Sequence, residues 1–179
     1  MPITKIVSGG QTGADRGGLD AALHCDLNYG GWIPKGRKAE QETKVPSRYE
    51  NLREHDSADY LVRTEANVVD SDATVVFTYG NPTGGSKKTI DFANKHDRPC
   101  LTADLDRSRS EVVNEVVAWL ESDCSSECVL NVAGSRESKA KGIEHAVMAR
   151  MIDVISKANG KMFCPIVDRK PPLILREQK

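Results

Sequence analysis

Five stretches of the chain concentrate residues able to hold an anion or move a proton. The first is Ser8-Gly9-Gly10-Gln11-Thr12-Gly13-Ala14-Asp15-Arg16-Gly17-Gly18. Glycines at the end of a strand let backbone approach a ligand, and the free N–H groups of the helix that follows favour negative charge. Gly10 and Gly13 fit the later glycines of G-x-G-x-x-G, but Ser8 stands where the first belongs, and no G-K-[ST] follows. Thr12 and Asp15 could also form a capping box at the same helix start. The second stretch, Gly30 to Lys38, sets Trp32 beside Lys35, Arg37 and Lys38. Arg and Lys suit phosphate or carboxylate, and a planar ring could stack on Trp32 or Trp32 could pack in the core. In the third, Arg63 and Asn67 are four apart and share a helix face. The fourth, Tyr79 to Asp91, offers Gly84, Gly85 and Ser86 as bare amides and a hydroxyl, with Thr89 and Asp91 following; Asp91 is a candidate general base. The fifth, Asn131 to Gly142, carries Arg136, Ser138 and Lys139 as a phosphate grip.

Short β-rich runs alternating with helical segments must position these loops. Strands are expected at 4–8, 29–33, 73–79, 99–103 and 127–133, and helices at 12–24, 58–69, 86–96, 108–122 and 143–158. Residues 34–57 read as one long polar loop, of a length usually tied to function. Strands alternating with helices imply βαβ crossovers, so the fold class is α/β, a doubly wound, mostly parallel Rossmann-like sheet with helices on both faces. Ligands in such sheets sit at the carboxyl ends of the strands, where these loops lie. Residues 1–158 form the ligand-binding domain. Residues 159–179, with Pro165, Pro171 and Pro172, form an extended C-terminal arm, either packed or mobile.

Composition narrows the function. The 179 residues carry 25 Lys and Arg against 26 Asp and Glu, a formal charge of −1, which argues against binding nucleic acid through bulk charge. The loop segments 8–20, 34–40, 83–91 and 134–142 hold nine cations and five anions, so a basic rim sits on an acidic body. That division favours one small anionic ligand. No apolar run approaches the roughly 20 residues that span a bilayer, and no secretory signal is recognisable. Five cysteines, odd in number and without a C-x-x-C pair, fit reduced thiols in a cytoplasmic protein. The four histidines lie on different segments without metal spacing, so no metal site is expected. An NAD site is not expected either, since Pro34, Lys35, Gly36 and Arg37 follow the second strand where a ribose-binding acid belongs.

The runs SGGQTGADRGGLDAAL, GGWIPKGRKAE, RTEANVVDSDATVVFT, TGGSKKTIDFA and LNVAGSRESKAKGI resemble the "putative molybdenum carrier" family from about Ile3 to Ile155. That resemblance implies a Rossmann-like fold and a distant relation to molybdenum-cofactor carrier proteins, which bind a phosphate-bearing pterin. It also implies likeness to the lysine-decarboxylase-like nucleotide phosphoribohydrolases. Their P-G-G-x-G-T-x-x-E frame, laid over Thr83 to Asp91, keeps Gly84 and Gly85 and a shortened carboxylate at Asp91. Three functions are therefore expected: a carrier of molybdenum cofactor (molybdopterin) or a nucleotide, a nucleotide-cleaving enzyme, or a ligand-sensing interaction module. The ligand contacts expected are Gly9, Gly10, Gln11, Thr12, Gly13, Arg16, Lys35, Arg37, Gly84, Gly85, Ser86, Thr89, Arg136, Ser138 and Lys139, with Asp91 catalytic in an enzyme. A homo-oligomer is expected because the arm offers an exchangeable segment.

Overall fold

The computed structural model describes residues 2–124, 126–164 and 166. Six strands form one all-parallel sheet: β1 (Ile3–Val7), β2 (Asn28–Ile33), β3 (Leu52–Glu54), β4 (Ala73–Thr78), β5 (Cys100–Asp104) and β6 (Cys128–Gly134). Five helices accompany them: α1 (Ala14–His24), α2 (Tyr60–Val69), α3 (Gly84–Lys95), α4 (Arg109–Asp123) and α5 (Ile143–Asn159). The α/β, doubly wound Rossmann-like expectation holds. Every residue of β4 is buried, as β-branched and aromatic side chains require in a strand covered on both faces. The helix α4 starts with a complete capping box from Ser108 and Glu111.

The strand order is β3-β2-β1-β6-β4-β5. Right-handed crossovers that step leftwards from β1 and β5 place α1 and α4 on one face, and the rightward step from β4 places α3 on the other. The packing agrees: α5 lies against α1 and α4, and α2 against α3. The main core fills the α1–α4–α5 side, with Ile6, Phe77, Leu130, Val116 and Ile152 fully buried. Placing the last strand between β1 and β4 makes the loops after β1, β6 and β4 neighbours. The crevice at this switch of strand order is the ordinary ligand position for such sheets.

Two expectations change. Residues 34–57 are not one loop, because β3 pairs with β2 through Gly31–Leu52, Trp32–Arg53 and Ile33–Glu54. Leu-Arg-Glu carries no alternation a sequence can display; the strand exists because Leu52 joins Leu19, Ile33, Ala39, Val45 and Tyr49 in a second small core. The helix α1 also lacks the Thr12–Asp15 capping box. Its N-cap is Gly13, at φ 86°, with no side-chain cap. Thr12 Oγ1 donates to Glu40 instead, and Gly13 N donates to Glu144 at 3.2 Å. The arm expected over 159–179 falls mostly on residues outside those described. Within the described part, α5 ends at Asn159 with Gly160 in the left-handed conformation.

Candidate functional site

A cleft of about 280 Å³ opens at the switch point, lined by the loops after β1, β4 and β6 and by α2. Its floor is an ion pair. Asp15 Oδ2 lies 3.5 Å from Arg63 Nη1, and the two side chains are only 8% and 11% exposed. Burial raises the Asp15 carboxyl above its ordinary value, opposed by Arg63, by the Gln11 N–H that donates to it at 3.2 Å, and by Arg136 and Arg16. Burial likewise disfavours the charge on Arg63, although a guanidinium keeps its proton. Two buried nitrogens beside this pair, Gln11 Nε2 and Arg63 Nε, have no hydrogen-bond partner. Buried donors left unpaired cost about 1–3 kcal/mol each, a cost carried by residues of the cleft lining.

The glycines divide into two kinds. A Cβ on Gly9 would fall 1.6 Å from Arg63 Nη1, on Gly10 2.9 Å from Val45, and on Gly13 2.4 Å from the Ser135 carbonyl. The first-loop glycines thus make room for other parts of the protein, and of the three only Gly9 lines the cleft. Gly84 and Gly85 behave differently. A Cβ on Gly85 meets nothing within 4 Å, and on Gly84 only Lys139 Nζ at 3.7 Å. They start α3, whose N-cap Thr83 makes no side-chain cap. Beside them Ser86, Ser135, Arg136 and Lys139 line a subsite of about 220 Å³ that shares Gly84, Gly85, Gly134 and Arg136 with the cleft. Thr89 is buried, and its hydroxyl donates to the Gly85 carbonyl at 3.1 Å.

Several expected contacts are placed elsewhere. Arg16 donates to the carbonyls of Gly10 and Lys44, and Arg37 to those of Val45, Pro46 and Tyr49. Both staple the 36–49 segment rather than facing the cleft. Lys35 is exposed and lines neither the cleft nor the subsite. The hydroxyls of Thr12 and Ser138 both donate to Glu40. Trp32 stacks on nothing in the cleft; its Nε1 donates to Asp70 at 2.7 Å, and the ring meets His55 edge-on at 5.7 Å. Asp91 sits half-exposed on α3, paired with Lys87 at 2.9 Å and with Lys88 at 3.9 Å, outside the cleft lining. The Lys87 hydrogen bond lowers its carboxyl, the wrong direction for a base working near neutrality.

The structure adds Asp15, Tyr60 and Asn131 to the cleft and brings Arg63 to its floor. Asp15 reads in sequence as a helix-start carboxylate, which hides its burial. Arg63 and Asn67 share a face as expected, but Asn67 uses its amide to bind the Trp32 backbone at 2.7 and 3.0 Å. Among the described residues, no group of three His, Cys, Asp or Glu side chains could hold a metal ion, and no helix is long and apolar enough to cross a membrane.

The chain matches the family described as "Circularly permutated YpsA SLOG family" over residues 6–155. It is also similar to a crystal structure called a "Putative molybdenum carrier protein" from Syntrophus aciditrophicus SB. The identity is 44%, over 86% of this chain and 94% of that one, with a TM-score of 0.79. No curated protein matches.

Proposed function

Since the chain belongs to the circularly permutated YpsA SLOG family, we propose that it is a binding or carrier protein for a phosphorylated heterocycle, with molybdopterin-type cofactor or a nucleotide as its cargo. The observation that carries this reading is the open, uncapped start of α3, where Gly84 and Gly85 face Lys139 and Arg136. Backbone amides at a helix start, two cations and the Ser86 hydroxyl suit a phosphate. The adjoining cleft then takes the ring, with Gln11 and Arg63 in its lining. Gly9, Gln11, Gly84, Gly85, Ser86, Thr89, Arg136 and Lys139 are the proposed contacts. The name of the 44% identical relative supports a molybdenum-related cargo. The residues of the cleft suit its phosphate and heterocycle rather than the metal, since oxygen and nitrogen donors line it and no Cys or His does. Isothermal titration of the full-length protein with nucleoside monophosphates tests the reading. Saturable binding that weakens with salt is expected, and absence of binding to every phosphorylated heterocycle offered overturns it.

One observation favours a second reading, a nucleotide-cleaving enzyme: Asp15 is a buried carboxyl in the cleft with its proton affinity raised. In that reading Asp15, not Asp91, handles the proton. Turnover of a nucleoside monophosphate that Asp15→Asn abolishes while binding persists would establish it; binding without turnover by the native chain leaves the carrier.

A further inference from the structure

Arg136 belongs to more than the cleft. Its guanidinium carbon lies 5.6 Å over the ring of Tyr60, and this stacked pair forms a wall. On one side is the cleft; on the other is an open concavity of about 570 Å³ beneath residues 36–44. Arg136 lines the α3 subsite as well, so the three compartments meet at one side chain. Small-molecule sites usually run from about 300 to 1,000 Å³, which puts the cleft alone just below the range and its neighbour well inside it.

The chemistry of the second compartment is that of an anion site. Lys38 and Lys44 both line it, and they are direct partners across an isolated antiparallel bridge. Like charges placed opposite one another are locally unfavourable, and an anion between them relieves the repulsion. The one carboxylate in the lining, Glu40, is already engaged by the Thr12 hydroxyl and by the Ser138 hydroxyl and N–H. Burial works to raise its carboxyl, but these hydrogen bonds outweigh it and hold the group ionised. The segment is also fixed. Arg16 binds the Lys44 carbonyl, Arg37 those of Val45 and Pro46 just beyond, Ala39 N donates to the Thr43 carbonyl at 2.9 Å, and Tyr60 OH donates to the Ala39 carbonyl at 3.2 Å. Arg37 and Gln41 hold φ 54°, a conformation uncommon for residues with a Cβ. Such a wall fixes the backbone that carries both lysines.

We propose that the ligand is bipartite: a 5′-phosphorylated nucleotide or pterin analogue occupies the α3 subsite and the cleft, and a second phosphate-linked unit continues past Arg136 and Tyr60 to Lys38 and Lys44. The inference rests on the binding reading above and narrows the ligand class from a mononucleotide to a dinucleotide or similarly extended phosphodiester. Calorimetric titration of the full-length protein with AMP and with the 5′-phosphorylated dinucleotide pApA tests it, because the two probes share the same 5′-phosphoadenosine half. Native protein is expected to bind pApA at least about tenfold more tightly than AMP. The double variant Lys38→Glu, Lys44→Glu changes two exposed side chains outside the cleft. It is expected to abolish the pApA advantage while leaving AMP affinity and Tm unchanged. Equal binding of AMP and pApA by native protein, or equal weakening of both in the variant, overturns the bipartite ligand and leaves the binding reading intact. Binding of neither probe overturns the bipartite ligand, and the binding reading falls with it only when no other phosphorylated heterocycle binds.

Discussion

Replacing Gly9 and Gly85 separately by Ala separates a glycine the protein fills from one it leaves open. A methyl on Gly9 would sit 1.6 Å from Arg63 Nη1, 2.3 Å from its Cζ and 2.9 Å from Asp15 Oδ2. No rotation of the methyl avoids this, so the guanidinium must leave and Asp15 stays behind without its partner. Removing one member of a buried pair costs about 3–5 kcal/mol. Taking the lower figure, because the Asp15 carboxyl can take up a proton, the loss of about 3 kcal/mol lowers Tm by roughly 6–12 °C for a chain of this size. Gly85 lies in the first turn of α3, and its methyl meets nothing. There Ala gains a little from helix propensity, up to about 0.5 kcal/mol, so Tm holds or rises slightly. The same methyl stands at the mouth shared by the cleft and the α3 subsite, and binding of a nucleoside monophosphate should fall about tenfold. Thermal melts and calorimetry read both effects. A Gly9→Ala protein as stable as the native one, or a Gly85→Ala protein that binds equally well, would refute the division of the glycines.

Further outcomes follow from the same geometry. Because burial raises the Asp15 carboxyl, its titration stabilises the fold fully below the ordinary carboxylate value, and that contribution is lost as pH rises through the raised value. Arg63 limits the loss, so Arg63→Met should be destabilised more at pH 8 than at pH 5; urea unfolding that gives equal deficits at both contradicts the buried pair. Glu40 has the opposite sign, since its hydrogen bonds from Ser138 and Thr12 overcome burial and lower its carboxyl. Its contribution is present above the ordinary value and lost as pH falls through the lowered one. Glu40→Gln should therefore speed amide exchange across residues 38–44 at neutral pH, while native protein shows that loosening only in acid. Lys139→Ala should weaken monophosphate binding about tenfold, flatten its salt dependence and change stability by no more than about 0.5 kcal/mol, as expected of a surface cation. Asp91→Asn is the matched control, and its affinity should equal that of native protein.

Much of the scaffold was legible because its signals are local. The run Ala73 to Thr78 joins Val75, Val76 and Phe77 to two threonines with no charge among them, and buried parallel strands look like that. The segment Leu52 to Glu54 carries no local signal because its partner is Gly31 to Ile33 and its neighbours are brought from elsewhere in the chain. In the candidate site, the open α3 start at Gly84 and Gly85 is legible because it is a matter of local residue types. The pairing of Asp15 with Arg63 is not, since it joins residues 48 positions apart on α1 and α2. Arg16 and Arg37 looked like ligand cations because their actual partners are backbone carbonyls, which carry no signature in a sequence.

Mass spectrometry of small molecules released from the protein purified from its own host tests most directly whether the cleft and the α3 start hold a phosphorylated heterocycle. A pterin or nucleotide carrying a phosphate should be released in near-stoichiometric amount, and in smaller amount from the Lys139→Ala protein prepared in the same way. Release of no such molecule, together with no thermal shift from any pterin phosphate or nucleotide added back, would contradict it.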